Sequence, residues 1–141
     1  MTAPRDQIEI KVRQWATYAD EDLELARHAL GMGAKCSTRL VAYHAQQCAE
    51  KYLKAYLVHR QVDFPFTHNI SLLLELCGES GAWVTELTDA EILTRFGVKA
   101  RYPGEDAEVP MEKAQQAVDI AARVRELVRQ ALAAEGVSLQ A

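Results

Sequence analysis

The sequence predicts an all-α protein, an antiparallel helical bundle of three long and two short helices, similar to a four-helix up-and-down bundle. Apolar residues recur at three- and four-residue steps through three long segments, which is the periodicity of one buried helix face. Glycine, proline and capping residues separate these segments. The alternating pattern of a half-buried strand is absent, and short connections favour antiparallel neighbours.

The first and last long helices are both amphipathic. We predict the first over residues 8–30, ending at Gly31, because glycine readily adopts the left-handed conformation that follows a helix. We predict the last over Met111–Ala134, ending before Gly136. The apolar stripe of the first comprises Val12, Trp15, Ala16, Ala19, Leu23, Ala26 and Leu30, and that of the last comprises Ala114, Ala117, Ala121, Val124, Val128 and Ala131.

The central helix, predicted from Ser37 or Thr38 as its N-cap to about His59, organises the domain. Its small and aromatic residues fall on one broad arc, the expected core face. That arc contains Val41, Ala45, Cys48, Ala49, Tyr52, Ala55 and Tyr56. The opposite side carries a polar stripe at spacings of four, three and four, namely Tyr43, Gln47, Glu50 and Lys54.

Two short helices fill the region between the second and third long helices. Thr67 or Asn69 is expected to cap a helix from Ile70 to Cys77. Residues 79–86 are expected to be irregular. The capping-box sequence Thr88–Glu91 predicts a further short helix that extends to about Phe96.

Length and composition describe one domain over residues 1–141, with its core at about 8–134. The net charge of -4 argues against a protein that coats nucleic acid or an anionic membrane by bulk electrostatics, and it leaves room for a local basic site. Three cysteines without C-x-x-C spacing suggest neither a disulfide framework nor a metal site. Without an apolar run of membrane-spanning length or a signal-peptide pattern, the protein is expected to be soluble and cytoplasmic.

Several short motifs together resemble the HEPN domain family, small helical proteins, over roughly residues 10–130. The most specific combination is Q-Q-x-A-E-K-x-L-K-A at 46–55, T-H-[ND]-I at 67–70 and R-Y-P at 101–103. The opening of the first helix also matches, through Trp15, Ala19, Asp20, Asp22, Leu23 and Ala26.

The resemblance implies a helical bundle, usually a homodimer, encoded beside a minimal nucleotidyltransferase in a toxin–antitoxin or nucleotide-handling pair. Many members of the family are metal-independent ribonucleases that use an Arg followed four to six residues later by His. Others lack that motif and are described as nucleotide-binding or non-catalytic. No cofactor is implied apart from a possible nucleotide ligand.

The ribonuclease motif is missing at its expected position. Arg101 is the nearest arginine, but Asp106, Ala107 and Glu108 occupy the positions where the His is expected, and no His follows Arg101 in the chain. Carboxylates there would repel a phosphodiester and cannot replace an imidazole near neutral pH. An earlier match, Arg39 with His44, is one that chance alone would supply. We therefore assign no catalytic residue.

The polar stripe has two interpretations. In the first, Glu50 and Lys54 form an ordinary surface pair at i, i+4, with Gln47 solvated. In the second, the stripe is a polar seam in a groove or dimer interface, where Lys51 and Lys54 bind phosphate and Tyr43 stacks on a base.

Three further residues lie at turns. His68 is expected to close the turn before Ile70, or to form part of an anion site at the helix start. Arg101 offers a fork for phosphate and Tyr102 a stacking face, although Arg101 could instead pair with Glu105 or Asp106.

Three hypotheses follow. The favoured one is a non-catalytic HEPN module that binds a nucleotide or a nucleotidyltransferase partner. The others are a ribonuclease toxin with a diverged Arg/His site and a purely structural dimeric bundle. Leu53 and Leu57 extend the apolar surface of the central helix past its core arc, which predicts a homodimer interface there. Alternatively, the short helix at 70–77 covers the same patch within one chain.

Overall fold

A computed structural model describes residues 4–97 and 108–139, and the prediction of an all-α bundle is confirmed. The α-helices are α1 (Arg5–Leu30), α2 (Thr38–His59), α3 (Ile70–Gly78) and α4 (Met111–Ala134). A short 3-10 turn, Gly33–Lys35, follows α1, and a longer 3-10 segment, Ala82–Phe96, follows α3. None of the helices in the described part is long and apolar enough to cross a bilayer.

The central position of α2 determines the architecture. This helix contacts α1 and α4, and also α3 and the 3-10 segment Ala82–Phe96. Small side chains, among them Ala42, Ala45 and Ala49, are fully buried along it, so neighbouring helices can approach closely. A helix that is covered on nearly every side has no broad solvent face.

Side-chain caps mark the beginnings of α2 and α3, as the sequence predicts. The Ser37 hydroxyl accepts a hydrogen bond from the backbone N–H of Leu40 at 3.4 Å. The Asn69 side chain accepts one from the backbone N–H of Leu72 at 3.2 Å. Each cap satisfies an amide that lacks a partner within its helix.

The region between α3 and residue 97 differs from the prediction. Helical structure begins at Ala82, inside the stretch expected to be irregular, and continues to Phe96 as 3-10 helix with a kink at Leu87 (φ -115°, ψ 22°). Trp83 packs edge-on against Tyr56 of α2 with ring centroids 5.0 Å apart. The side chain of Leu87, at the kink, is completely buried. Tertiary packing therefore orders a stretch that lacks a helical sequence pattern.

The prediction that Leu53 and Leu57 form an exposed apolar patch is wrong. Both side chains are completely buried within one chain. Helix α3 packs on this side of α2, and the Cys77 thiol donates a hydrogen bond to the Leu53 carbonyl oxygen at 3.6 Å. Burial within one chain favours the alternative, in which the short helix covers the patch, and these leucines provide no argument for a dimer interface.

Candidate functional site

The polar residues of α2 form a buried network with the loop that precedes α3. We call Gln46, Gln47, Glu50, Lys54 and His68 the α2 network. Its four members on α2 are at most 8% exposed. The interpretation of Glu50 and Lys54 as a surface pair beside a solvated Gln47 is therefore wrong, because other segments of the chain cover this face.

Gln46 connects its neighbours on α2, Gln47 and Glu50, to the loop that precedes α3. Its amide nitrogen Nε2 donates to Glu50 Oε1 and to the His68 carbonyl oxygen, both at 3.1 Å. Its Oε1 accepts from Gln47 Nε2 at 2.7 Å. The side-chain amide is thereby held in one orientation, and it fixes the backbone of the loop at His68.

Glu50 and Lys54 are a buried ion pair with additional hydrogen bonds. Lys54 Nζ lies 3.0 Å from Glu50 Oε2 and donates to the Thr67 carbonyl oxygen at 3.1 Å. The rings of Trp15 and Phe64 have centroids 5.6 Å from Nζ, and that of Phe66 has its centroid 5.9 Å away. Cation–π attraction and hydrogen bonds therefore replace much of the hydration that the ammonium loses on burial.

His68 points its Nδ1 at the same carboxylate. Nδ1 lies 2.8 Å from Glu50 Oε1. Since an ionised carboxylate only accepts hydrogen bonds, Nδ1 carries the proton, and in the neutral ring Nε2 is the basic nitrogen. His68 thus has two structural roles: its backbone is tied into the turn before Ile70, and its ring is held in one orientation.

An open cavity of about 730 Å³ lies beside this loop, and we call it the loop cavity. The Phe66 side chain is 94% exposed there, and its ring centroid lies 5.6 Å from that of His68. The cavity is lined by Phe66, Thr67, His68, Asn69, Glu91, Ile92, Thr94 and Arg95. An exposed aromatic ring, a cation and a carboxylate therefore share one opening.

Lys51 contacts a different carboxylate. Its Nζ lies 2.5 Å from Asp22 Oδ2, and His44 Nδ1 lies 2.8 Å from Asp22 Oδ1. Tyr43, which is half-buried, packs edge-on against the His44 ring with centroids 5.2 Å apart. Lys51 and Lys54 therefore bond to separate carboxylates, and the structure does not bring their ammonium groups together on one ligand position.

Two further sequence predictions concern the Arg101–Tyr102 corner and the Arg39–His44 match, and the two buried cysteines can be described with them. Arg101 and Tyr102 lie outside the described residues. The Arg39–His44 match places an exposed arginine on the same helix as a half-buried histidine that bonds to Asp22. Burial raises the pKa of the Cys77 thiol to about 12 and also raises that of the Cys48 thiol, which disfavours the reactive thiolate form of both.

The sequence prediction did not assign roles to Phe66 and Arg95. Phe66 follows Pro65 in a loop, where an apolar side chain is not required for folding. A large apolar residue at such a position is a signal in the sequence that could have identified Phe66 as a functional residue. Arg95 lies near the end of the 3-10 segment and carries no local motif. Its place in the lining of the loop cavity depends on the packing of that segment against the loop.

Comparisons with known proteins agree with this architecture. The HEPN domain family matches residues 12–131. The crystal structure of TT1696 from Thermus thermophilus is similar at a TM-score of 0.69 and 25% sequence identity, and the match covers 85% of this chain and 97% of that one. No curated protein matches the chain. The family match spans most of the sequence and includes every element that builds the α2 network, and on this basis the chain belongs to the HEPN domain family.

Proposed function

We propose that this HEPN protein is a non-catalytic module that binds a nucleotide in the loop cavity. The observation that carries the proposal is the rigid support of an exposed aromatic side chain. Phe66 extends into solvent, yet the residues on its C-terminal side are held by Lys54 at the Thr67 carbonyl and by Gln46 at the His68 carbonyl. An exposed ring on a fixed loop is a ready stacking surface for a base.

The other residues of the loop cavity complement the remaining parts of a nucleotide. Arg95 offers a planar, permanently charged fork that suits a phosphate. Glu91 offers acceptor oxygens for ribose hydroxyls. A volume of about 730 Å³ is in the usual range of small-molecule sites.

We assign Lys54 a positioning role instead of a phosphate contact. Its ammonium is already shared between Glu50 and the Thr67 carbonyl oxygen, and binding a phosphate would require breaking a buried ion pair. Lys51 is paired with Asp22. Tyr43 and Lys51 belong to that separate cluster, so the loop cavity is the better candidate for the nucleotide.

Within the proposal, the module works with a minimal nucleotidyltransferase in a toxin–antitoxin-like pair in the cytoplasm, as the family resemblance implies. Homodimerisation is also part of the proposal. Since Leu53 and Leu57 are buried, the dimer would have to use another surface. The exposed apolar residues Ile10, Tyr18 and Leu25 of α1 are available for this contact.

A second candidate function, a ribonuclease with a diverged site, is favoured by one observation. Glu50 orients the His68 ring so that Nε2 is its basic nitrogen, and Arg95 lines the same cavity. A carboxylate-held imidazole that shares a cavity with an arginine could act as a general base near a phosphodiester. We rank this function second because the family's Arg–His spacing is absent from its expected position in the sequence.

Calorimetric titration with AMP tests the favoured proposal. The wild-type protein should bind, and Arg95→Gln should weaken binding roughly tenfold through loss of a charge-assisted hydrogen bond. Arg27→Gln, which removes an exposed arginine of α1, is the matched control and should leave affinity unchanged. Absence of binding by the wild-type protein at millimolar AMP would remove the proposal.

Induction of the wild-type gene in a bacterial host distinguishes the two candidates. A non-catalytic module should be tolerated, and purified protein should leave RNA intact. Growth arrest together with RNA cleavage, both relieved by His68→Gln or by Arg101→Ala, would establish the ribonuclease instead. A folded variant, checked by circular dichroism, is needed for this comparison because His68 contributes to the buried network.

A further inference from the structure

We infer that the bundle carries a second ligand site, which binds the phosphate group of a small molecule between α1, α4 and the chain that follows α4. A cavity of about 430 Å³ lies there, and we call it the tail cavity. It is lined by Arg13, Ala16, Thr17, Asp20, Arg129, Ser138 and Leu139. None of these residues lines the loop cavity, so the inference does not depend on the proposed nucleotide site.

The donors of the tail cavity suit an anion. Arg13 and Arg129 supply two guanidinium groups, and Thr17 and Ser138 supply two hydroxyls. Arginine binds phosphate with paired N–H groups in a fixed geometry, and hydroxyls complete the shell around the remaining oxygens. Arg13 and Thr17 are four residues apart on α1, so both project from the same side of that helix.

Among the described residues that line the cavity, Asp20 carries the one carboxylate, and it does not cancel this positive charge. Asp20 Oδ1 accepts hydrogen bonds from the Tyr52 hydroxyl and, at 2.8 Å, from Arg125 Nε, and its Oδ2 lies 3.9 Å from Arg129 Nη1. Burial and the hydrogen bond to Asp20 raise the pKa of Tyr52, so the phenol keeps its proton and donates it. The Asp20 carboxylate therefore lies close to the guanidinium groups of Arg125 and Arg129, and Arg13 adds a third guanidinium group to the region.

Other acidic residues near these arginines have their own partners. Glu9, one turn before Arg13, lies 3.8 Å from Arg5 Nε. Glu126, one turn before Arg129, accepts a hydrogen bond from Gln130 Nε2 at 2.9 Å. Within the described lining of the tail cavity, two guanidinium groups therefore accompany one carboxylate, on a protein whose net charge is -4.

The two arginines of the cavity differ in how firmly they are held. Arg129 is mostly buried, and its Nη2 donates to the Leu139 carbonyl oxygen at 2.7 Å, which orients the guanidinium before any ligand arrives. Arg13 is exposed and can close over a ligand. Ala16 and Leu139 form an apolar wall, and the volume exceeds that of a phosphate ion, so the cavity has room for a small organic group attached to the phosphate.

NMR titration tests this inference through the side-chain Nε–H signals of arginine. The probes are inorganic phosphate and glycerol 3-phosphate, each compared with chloride at matched ionic strength to remove simple screening. Both probes should shift the signals of Arg13 and Arg129, and Arg13→Gln should weaken binding roughly tenfold. Arg27→Gln, another exposed arginine of α1, is the control that should retain full affinity.

A second variant, Thr17→Val, removes a hydroxyl at an exposed position and should also weaken binding while leaving the fold intact. The inference is overturned if tens of millimolar phosphate shift neither arginine, or if chloride produces the same shifts. It is also overturned if Arg13→Gln and Arg27→Gln lose affinity equally. The side-chain signals of Arg13 and Arg129 report on the tail cavity, whereas the Arg95→Gln variant reports on the loop cavity, so either site can fail while the other stands.

Discussion

Gly97 lies directly against the side-chain amide of Gln46. A Cβ atom added at position 97 would stand 3.1 Å from Gln46 Cδ, 3.2 Å from Nε2 and 3.3 Å from Oε1. These separations are too short for an undisturbed contact. Because Gln46 is held by Glu50, by Gln47 and by the His68 carbonyl, its amide cannot move away without breaking the α2 network.

Gly97→Ala should therefore lower the free energy of unfolding by about 1–2 kcal/mol, the usual cost of an overpacked core position. The backbone at residue 97 (φ -71°) suits alanine, so strain in the backbone does not contribute. Gly78→Ala is the matched control, because the nearest atom to its added Cβ is 3.9 Å away. Urea denaturation measures both, and equal stability of the two variants would contradict the role given to Gln46.

The buried ion pair should show strong coupling. Lys54→Met leaves the Glu50 carboxylate buried without its cation and should cost about 3 kcal/mol of unfolding free energy. The double variant with Glu50→Gln removes both charges and should cost less than the sum of the single changes. Urea denaturation of the two single variants and the double variant gives the coupling energy.

An exposed pair provides the comparison. Arg123 Nη2 lies 3.6 Å from Glu86 Oε1, and both side chains are more than half exposed. Glu86→Gln should change stability by less than about 1 kcal/mol, as for most surface ion pairs. If Lys54→Met cost no more than Glu86→Gln, the pair at Glu50 would behave as the surface pair that the sequence alone suggested.

Sequence periodicity predicted the long helices well because the information is local. The bounds of α4, and the end of α2 at His59, follow from apolar spacing, caps and glycine positions. Periodicity gives the orientation of each side chain about its own helix axis only. It does not show which other segments cover the face that carries Gln47, Glu50 and Lys54, and for this reason a buried network could be mistaken for a solvated stripe.

Leu57→Arg should abolish folding. The side chain is completely buried beneath neighbouring elements, and an arginine there would bury a charge with no partner in place. Circular dichroism should show loss of helix at room temperature. Leu40→Arg, at an exposed position near the start of α2, should fold normally. A folded, monomeric Leu57→Arg protein would restore the idea of an intermolecular patch.

Glu135 should contribute to stability in a pH-dependent way. Its Oε1 accepts hydrogen bonds from Arg60 at 2.6 Å and from the buried His59 at 3.1 Å, and its Oε2 accepts one from Tyr56 at 3.2 Å. Partial burial raises the pKa of this carboxyl group, but the hydrogen bonds from Arg60 and His59 outweigh that effect, and the folded pKa is lowered.

A lowered folded pKa means that the stabilisation is present above the ordinary pKa of glutamate and is lost as the pH falls through the folded value. Glu135→Gln should therefore unfold at a lower temperature than wild type at neutral pH. This difference in unfolding temperature should shrink as the pH falls below the ordinary pKa of glutamate. Glu126→Gln, at an exposed position of α4, should follow the wild-type profile. A stability difference that widened in acid would mean that the folded pKa of Glu135 is raised and not lowered.

Backbone NMR during titration with AMP tests the proposal that the loop cavity holds a nucleotide with its base on Phe66. Amide shifts should concentrate at residue 64, at residues 66–69 and at residues 91–95, and they should disappear in Phe66→Ala, which removes an exposed ring and leaves the fold intact. Amides beside Asp22, His44 and Lys51 should stay unchanged. Shifts centred on that second cluster, or no shifts at millimolar AMP, would contradict the claim.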